Sequence, residues 1–265
     1  MPETAYRFNI GDFKCIIFND GYLQDPEVQF GLNCMYIESG GRKILVDNGC
    51  GESFKGPPGT PETQPAGSGT AGHLVKNMAA EGVKPVDITD IIFTHGHSDH
   101  VCGTCDINGK TVFPNARYTI YKKEWEYIIA GPDGNENLTW LFAEARENLP
   151  ALKDRFDLVG DNYSVVPGIK LIPAPGHTPG NIMVEITSKG KKLLCIGDII
   201  HAYREFTEPE HYAFLDFNPA QAVQTRNKIL TRAAKDKSYI FAIHFPFPGL
   251  GYIRENKGVL NWEPI

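Results

Sequence analysis

The stretch THGHSDH, residues 94–100, concentrates side chains that bind metal ions. His95, His97, Asp99 and His100 supply three imidazoles and one carboxylate within six positions. Clustered histidines in a loop have little use in packing, whereas imidazole nitrogen and carboxylate oxygen are ligands of divalent transition metals. The spacing H-x-H-x-D-H therefore predicts a metal site, provided that the fold brings further ligands to it.

Isolated polar residues further along the chain lie at the ends of apolar segments. His177 lies in PAPGHTPG, Asp198 ends LLCIGD and His244 lies in FAIHFPF. Taken alone, these three would fit a loop histidine, a helix cap and a buried core histidine. Together with the first cluster they make five imidazoles and two carboxylates, enough for two ions. Such a set suits zinc, manganese, cobalt or iron better than magnesium or calcium.

The elements that must position these residues begin with short strands. FKCIIFNDG, NCMYIES and KILVDNG predict an antiparallel meander that ends in an acidic turn. Residues 55–72 are rich in Gly and Pro and predict a loop, either a lid over the metals or an insertion. A helix over HLVKNMAAEG ends at Gly82, and DITDIIF predicts a buried strand. The first cluster is thus expected on the loop at the carboxyl end of a strand.

The order of strands and helices predicted for the first half is expected to repeat in the second half. A strand at ARYTIY, a helix at KKEWEYIIA and helical structure around LTWLFAEARENLPAL precede a second meander, which we expect to begin at FDLVG. A helix over residues 219–235 and a strand at YIFAIHFPF are expected to close the chain. KILVDNG and KKLLCIGD each join a charged turn, an apolar strand and an aspartate. We therefore expect one domain, 1–265, with duplicated halves at about 1–150 and 151–265.

Length and composition restrict the classes of protein. The chain has 265 residues, 42% of them hydrophobic, so that it can bury a large core. Its net charge of -6 has the wrong sign for a nucleic-acid partner. No apolar run reaches the roughly 18 residues that cross a bilayer, and the amino-terminal residues lack the pattern of a signal peptide. We expect a cytoplasmic protein without a membrane partner.

The six cysteines are scattered, several of them within apolar runs such as KCIIF, which predicts buried free thiols. Cys102 and Cys105 form a CGTC pair just beyond the histidine cluster. Redox dithiols and zinc knuckles also use this spacing. Because no second CxxC completes a structural zinc site, buried thiols are favoured here too.

The ordered set HxHxDH, PGHTPG, GD and a late histidine resembles the metallo-β-lactamase superfamily over nearly the whole chain. The resemblance implies an α/β fold, an αβ/βα four-layer sandwich of two central mixed β-sheets with outer helices and a dinuclear site at one edge. The implied cofactors are two divalent metal ions, zinc first, with manganese, iron or cobalt as alternatives. The implied ligands are His95, His97 and His177 for one ion, Asp99, His100 and His244 for the other, and Asp198 between them.

The segments GDIIH, HFPFPGLGYIRENKG and NWEPI look more specifically like methyl parathion hydrolases, near relatives of quorum-quenching lactonases. His201 stands three positions after Asp198, where those lactonases carry a tyrosine that polarises the substrate carbonyl, and here the tyrosine is displaced to Tyr203. This departure argues against a simple acyl-homoserine lactonase. It makes His201 a candidate catalytic residue, either supporting a ligand or donating to the substrate oxygen, with a structural role as the alternative. The resemblance also implies a homodimer.

The chemistry that this set supports is hydrolysis of a small molecule. Two ions about 3.5 to 4 Å apart can bridge a hydroxide and present it to the carbon or phosphorus of a lactone, ester or phosphotriester. Asp99 is the candidate for orienting that hydroxide and protonating the leaving group. Tyr203, Phe206 and Phe247 are candidates for an aromatic pocket wall around the substrate, with core packing as the alternative.

Other functions stay open at this point. Relatives in the superfamily also cleave β-lactams and thioesters. From other classes, a di-iron redox centre assisted by CGTC, or a metal-binding module without catalysis, would use the same ligands. Redox relatives typically carry Glu in place of His97 together with a flavin domain, neither of which this sequence shows. A module that had lost catalysis would be expected to have lost ligands.

Overall fold

The computed structural model describes residues 3–24, 29–56, 69–131 and 136–265. Within these ranges the strands pair into two seven-stranded sheets, and each sheet follows the order of the chain. Strands that are adjacent in sequence are therefore also neighbours in space.

The first sheet combines an antiparallel meander with three parallel strands. The meander consists of β1 (Ala5–Ile10), β2 (Phe13–Gln24), β3 (Gln29–Ser39) and β4 (Arg42–Val46). The parallel strands are β5 (Asp90–Ile92), β6 (Arg117–Tyr121) and β7 (Phe156–Val159). Each parallel strand needs a crossover connection, and these crossovers carry the helices of the first half.

The helices of the first half pack on the outer face of this sheet. They are α1 (Leu74–Ala80), α2 (Ser98–Val101), α3 (Lys122–Ala130) and α4 (Ala143–Asn148). Aromatic rings fill the layer between helices and sheet: the rings of Phe93 and Tyr118 stack with centroids 5.9 Å apart, and Trp125 of α3 lies 4.8 Å from Phe156.

The second sheet has one parallel pair, β11 with β12, among antiparallel strands. Its strands are β8 (Ser164–Val166), β9 (Ile169–Pro173), β10 (Ile182–Ser188), β11 (Lys191–Cys195), β12 (Tyr239–Phe241), β13 (Leu250–Asn256) and β14 (Val259–Pro264). The crossover from β11 to β12 contains the short α5 (Arg204–Thr207) and the long α6 (Pro219–Asp236).

Helix α6 begins and ends where its sequence predicts. The Asn218 side chain accepts a hydrogen bond from the backbone N–H of Gln221 at 3.1 Å, and Pro219 occupies the start of the helix, where its missing N–H is not needed. The helix ends at Lys237, which has a left-handed φ of 52°. Ile229 and Leu230 lie on its buried face and pack against the second sheet.

The two sheets face each other across an aliphatic core that includes Ile17 and Met35 of the first sheet and Val184 and Ile186 of the second. With helices outside both sheets, the layers are stacked in the order helix, sheet, sheet, helix, and the predicted αβ/βα sandwich is confirmed. The cysteines are buried and free, also as predicted. Among the helices described here, none is long and apolar enough to cross a lipid bilayer.

Three details of the fold differ from the sequence-based expectation. FDLVG does not open the second meander; it forms β7, which pairs with β6 at the edge of the first sheet. The chain does not close after YIFAIHFPF, because the β13–β14 hairpin continues the second sheet. Around LTWLFAEARENLPAL only α4 is α-helical, and 3₁₀ turns flank it over Glu136–Phe142 and Leu149–Arg155, where Pro150 lacks the N–H that an α-helix would use.

Most of the predicted loop 55–72 lies outside the described residues, and the lid hypothesis lies there with it. The flanking backbone is described and is tied to β2: Asp20 accepts hydrogen bonds from the backbone N–H groups of Cys50 and Leu74 at 2.9 and 2.7 Å. Both ends of the segment are therefore anchored at the same buried carboxylate.

Candidate metal centre

The structure brings the seven predicted ligands together at one edge between the sheets. Among the described residues, two adjoining groups have their potential ligand atoms close enough to share an ion. The first group is His95, His97, His177 and Asp198, and the second is Asp99, His100 and His244. The family resemblance implied the same histidines and Asp99 for each set, with Asp198 between the two sets.

Each ligand follows the carboxyl end of a strand, where loops from both sheets converge. His95 and His97 follow β5, and α2 begins immediately after them and carries Asp99 and His100. From the second sheet come three further side chains, one after each of β9, β11 and β12: His177, Asp198 and His244. The site thus depends on the two sheets lying face to face.

The carboxylate of Asp198 lies at the centre of the cluster. Its Oδ2 is 3.2 Å from Nε2 of His177 and 3.1 Å from Nε2 of His244, and its Oδ1 is 3.1 Å from Nε2 of His100. Two atoms that bind one ion at about 2.1 Å each lie roughly 3 to 3.5 Å apart. Because Asp198 is within this distance of members of both groups, it occupies the position that a bridging ligand requires.

Unpaired polar atoms indicate that the cluster is built for ions. Nε2 of His95 is buried and has no hydrogen-bond partner, and Nε2 of His100 and Oδ1 of Asp198, although 3.1 Å apart, do not form a hydrogen bond of acceptable geometry. Leaving such an atom unpaired costs about 1 to 3 kcal/mol, and folded proteins avoid it unless another group satisfies the atom. The donor set of imidazole nitrogen and carboxylate oxygen fits two divalent transition-metal ions.

The ionisable side chains of the cluster change one another's pKa values. Burial and the neighbouring imidazoles hold the pKa of His95 and of His97 well below the usual range, which favours the neutral form that binds metal. Burial also opposes protonation of His100, but the carboxylates of Asp198, Asp99 and Asp47 outweigh it and raise the pKa of His100. Burial would raise the pKa of Asp198, and the imidazoles around it, His244 first, lower it well below its usual range.

The ring nitrogens that point away from the centre are held by second partners. Nδ1 of His100 lies 2.9 Å from Oδ2 of Asp47, and Nδ1 of His177 lies 2.9 Å from Oδ1 of Asp216. Nδ1 of His244 lies 2.9 Å from the carbonyl oxygen of Gly31. Such contacts fix the orientation of each ring and leave its Nε2 directed at the shared carboxylate.

Glu124 of α3 joins the two loops that carry the first group. Its carboxylate accepts hydrogen bonds from the backbone N–H of Gly96 at 2.9 Å and of Gly180 at 3.0 Å, and from Oγ1 of Thr178 at 2.6 Å. Gly180 allows this close approach, because a Cβ there would lie 2.2 Å from the backbone nitrogen of Glu124. The loops on either side of His97 and His177 are therefore fixed to one buried carboxylate.

The candidate catalytic residues lie in or beside the cluster. Asp99 is the more open of the two ligand carboxylates, with 15% of its side chain exposed against 5% for Asp198. His201 is buried, and its Nε2 lies 3.3 Å from Oδ2 of Asp198. Its ring stacks against that of His244 with centroids 5.7 Å apart. The structure thus places His201 at the centre, although outside the two ligand groups.

The three aromatic residues predicted to bind substrate occupy different environments. Tyr203 is half exposed and its ring lies 4.8 Å from that of Phe245. Phe247 is partly buried at the side of the core between the sheets. Phe206, however, lies in the core between the second sheet and α6, where only 6% of it is exposed. Phe206 is therefore a packing residue and not part of a pocket wall, because the hairpin and α6 cover it.

Sequence analysis missed the residues that hold the ligands. The sequence pattern places Asp47 only in the acidic turn of KILVDNG and assigns it no contact with a ligand. Glu124 carried a usable signal, since a carboxylate one turn before Ile128 lies on the buried face of α3. Asp216 and Asn33, whose amide donates to the carbonyl oxygens of Ile243 and Phe245 beside His244, have no pattern in the sequence that marks them.

Comparison with known proteins places this fold and cluster among characterised relatives. The model of the metallo-beta-lactamase superfamily matches residues 29–244. The N-acyl homoserine lactonase AiiA of Bacillus thuringiensis subsp. kurstaki is 26% identical over 223 residues, which cover 80% of each protein. An N-acyl homoserine lactonase of Bacillus cereus is 28% identical over 223 residues, with the same coverage of 80% on both sides.

Two solved structures are similar over essentially the whole chain. The dizinc quorum-quenching lactonase AidC, in complex with a product, has a TM-score of 0.87 and 25% identity, covering 99% of this chain and 97% of that one. The hydrolase AbOPH of the beta lactamase superfamily has a TM-score of 0.85 and 27% identity, covering 100% of this chain and 98% of that one. The likeness therefore includes the edge at which the two ligand groups lie.

Proposed function

Because the chain belongs to the metallo-β-lactamase superfamily and is a metal-dependent hydrolase, we propose that it uses two divalent ions to hydrolyse lactones. Zinc is the ion we propose first, with manganese, iron or cobalt as alternatives. Aryl esters and phosphotriesters are the other electrophiles that such a site would accept. The resemblance to the lactonase branch that the sequence predicted is confirmed by the relatives themselves.

The observation that carries the proposal is the pair of ligand groups that meet at Asp198. Three histidines surround one position and a mixed group surrounds the next, with the carboxylate of Asp198 within 3.2 Å of a member of each. A structural site would close around one ion with four ligands. Two adjoining sites that share a carboxylate instead suit a reaction in which one small molecule contacts both.

When bound, two divalent ions supply Lewis acidity, which lowers the pKa of a water molecule and polarises a substrate oxygen. We propose that Asp99 transfers protons in this reaction. Its Oδ2 lies 3.6 Å from Nε2 of His100 and 3.6 Å from Nε2 of His244, so that one oxygen faces the second group while the side chain stays open to solvent. We assign to Asp99 the orientation of the attacking water and the return of a proton to the leaving group.

We propose that His201 contacts the substrate oxygen. Its ring lies beside those of His177 and His244 and takes the sequence position at which the lactonases carry a tyrosine. We propose that His201 donates a hydrogen bond to the carbonyl oxygen as charge develops on it, in place of the tyrosine hydroxyl. Tyr203, two residues further on, is half exposed and would contact the rest of the substrate.

The surroundings of the cluster favour an uncharged and fairly apolar substrate. The ring of Phe142 lies 4.6 Å from that of His97, and the ring of Phe30 lies 6.3 Å from that of His244. Phe142 is almost fully buried and packs behind His97, whereas Phe30 and Tyr203 are partly exposed and supply apolar surface near the ligands. Apolar walls with few polar groups are typical of small-molecule sites.

The test is proton release by metal-loaded protein across a panel of lactones, aryl esters, phosphotriesters, a thioester and a β-lactam. We expect turnover of lactones, abolished in Asp198→Asn and retained in Asp154→Asn, a matched change at an exposed aspartate. Turnover of a different class alone would replace the proposed substrate. If the wild type binds two ions and hydrolyses nothing in the panel, the proposed function is wrong.

A further inference from the structure

A buried ion pair lies behind His201 and takes no part in the ligand groups. Nη1 of Arg226 on α6 donates to Oε1 of Glu205 on α5 at 2.7 Å, and both side chains are almost completely buried. Removing two charges from water is expensive, and an isolated buried pair contributes little net stability. A buried pair beside a catalytic centre is therefore better explained by what it holds in place.

Glu205 contacts residue 201 from two directions. Its Oε2 accepts hydrogen bonds from the backbone N–H groups of His201 and Ala202, and its Oε1 lies 3.8 Å from Nδ1 of the His201 ring. The opposite ring nitrogen, Nε2, faces Asp198 at 3.3 Å. The carboxylate thus holds the backbone of residues 201 and 202 by hydrogen bonds, whereas its contact with the ring, at 3.8 Å, is electrostatic.

A carboxylate also lies behind two ligand histidines, and there it is at hydrogen-bond distance. Asp47 is 2.9 Å from Nδ1 of His100, Asp216 is 2.9 Å from Nδ1 of His177, and in both cases Nε2 faces the carboxylate of Asp198. We propose that Glu205 is a positioning residue for His201, and that Arg226 keeps its carboxylate in place. This inference rests on the proposed role of His201 at the substrate oxygen.

Arg226 can keep the Glu205 carboxylate in place because its guanidinium also binds two backbone carbonyl oxygens of the same segment. Besides Glu205, its guanidinium donates to the carbonyl oxygen of Pro209 at 2.9 Å and to that of His211. The rigid fork of a guanidinium directs several donors at once. The segment from His201 to His211 is therefore attached through one side chain to α6, the longest helix of the described structure.

The first test is a double-mutant cycle on the metal-loaded protein. Glu205→Gln keeps the size of the side chain and an acceptor for the two backbone N–H groups but removes the charge. We expect kcat on the best panel substrate to fall about 10- to 100-fold with KM little changed and two ions still bound. In a His201→Ala background the same change should cost less than about threefold, because its target is gone.

Glu208→Gln is the matched control, since Glu208 pairs with Arg204 on the exposed side of the same short helix. It should leave kcat unchanged. Equal losses from Glu205→Gln with and without His201 would overturn the proposal, as would no loss at all. If Glu205→Gln fails to fold, Glu205→Gln combined with Arg226→Met removes both buried charges and is entered into the same cycle.

A second measurement is independent of turnover. The ring ¹⁵N and ¹H signals of His201, identified by their loss in His201→Ala, report the position of the imidazole in the zinc-loaded protein. We expect them to shift or broaden in Glu205→Gln and to stay unchanged in Glu208→Gln. Unchanged signals in both variants would show that Glu205 does not position the ring, even if the protein hydrolyses no substrate in the panel.

Discussion

At the scale of single residues, three of the ligand histidines are oriented through both of their ring nitrogens. In His100, His177 and His244 one nitrogen faces the shared centre, and the other is held by Asp47, Asp216 and the carbonyl oxygen of Gly31, respectively. A flexible imidazole would lose rotational freedom each time an ion bound. Fixing the far nitrogen removes part of that cost before binding and sets the orientation of the ring.

The contribution of Asp216 can be measured as metal affinity. In Asp216→Ala the far nitrogen of His177 loses its acceptor, and we expect the affinity of the first group for zinc to fall about 10- to 100-fold. Competition against a chromophoric chelator measures this directly. Asp154→Ala, at an exposed position, is the control. An Asp216→Ala protein with wild-type affinity would show that packing alone orients the ring.

Asp99 is predicted to transfer protons as well as to bind a metal ion. We expect Asp99→Asn to lower kcat by about 100- to 10,000-fold, the range typical of lost general acid–base catalysis, because an amide cannot accept and return a proton. Metal content by elemental analysis separates this effect from loss of an ion. A variant that kept both ions and full activity would remove the assigned role.

At the scale of elements, the loops that carry the ligands are fixed by helices packed outside the sheets. Helix α3 presents Glu124 to the loops of His97 and His177, and α6 presents Arg226 to the segment after Asp198. Loops alone would leave the ligand atoms with a broad distribution of positions. Helices with their own buried faces supply rigid points of attachment.

A substitution at Gly180 tests how closely α3 must approach the loop that follows His177. A Cβ at residue 180 would lie 2.2 Å from the backbone nitrogen of Glu124, so that Gly180→Ala must displace the helix or the loop. We expect a loss of about 1 to 3 kcal/mol in the free energy of unfolding and weaker zinc binding. Gly160→Ala is the control, because no atom lies within 4 Å of its Cβ position. Urea unfolding compares the two, and equal values would contradict the predicted clash.

At the scale of the whole molecule, the site joins the two halves of the sandwich. His95, His97, Asp99 and His100 come from the first sheet, whereas His177, Asp198 and His244 come from the second. Bound ions would therefore cross-link the two sheets at one edge, in addition to the aliphatic core between them. A ligand that binds only the folded chain raises its stability by mass action.

Metal removal should consequently lower the thermal stability. At an ion concentration about 100 times the dissociation constant, binding adds roughly 2.7 kcal/mol per site to the free energy of unfolding. We expect a chelator to lower Tm in the wild type and to have little effect on Asp198→Asn, which lacks the carboxylate that lies between the two groups. Differential scanning calorimetry with and without zinc measures both. An unchanged wild-type Tm would show that the ions do not link the sheets.

Local patterns in the sequence determined the first ligand cluster, three of the helices and the family. The type and spacing of His95, His97, Asp99 and His100 identified a metal site, because those side chains have few other uses in a loop. Helices α1, α3 and α6 follow the periodicity and end signals of their own residues, and those signals act within a few positions. The ordered motifs were also sufficient to identify the family.

Only the tertiary structure decided which distant residues meet. His177 and Asp216 are 39 positions apart, and His100 and Asp47 are 53 apart, so that no local pattern relates them. The pairing of β7 with β6, the burial of Phe206 and the contact of Arg226 with Glu205 were decided in the same way. Such contacts form because burying the apolar faces of both sheets and their helices brings the segments together, and that free energy belongs to the assembled fold.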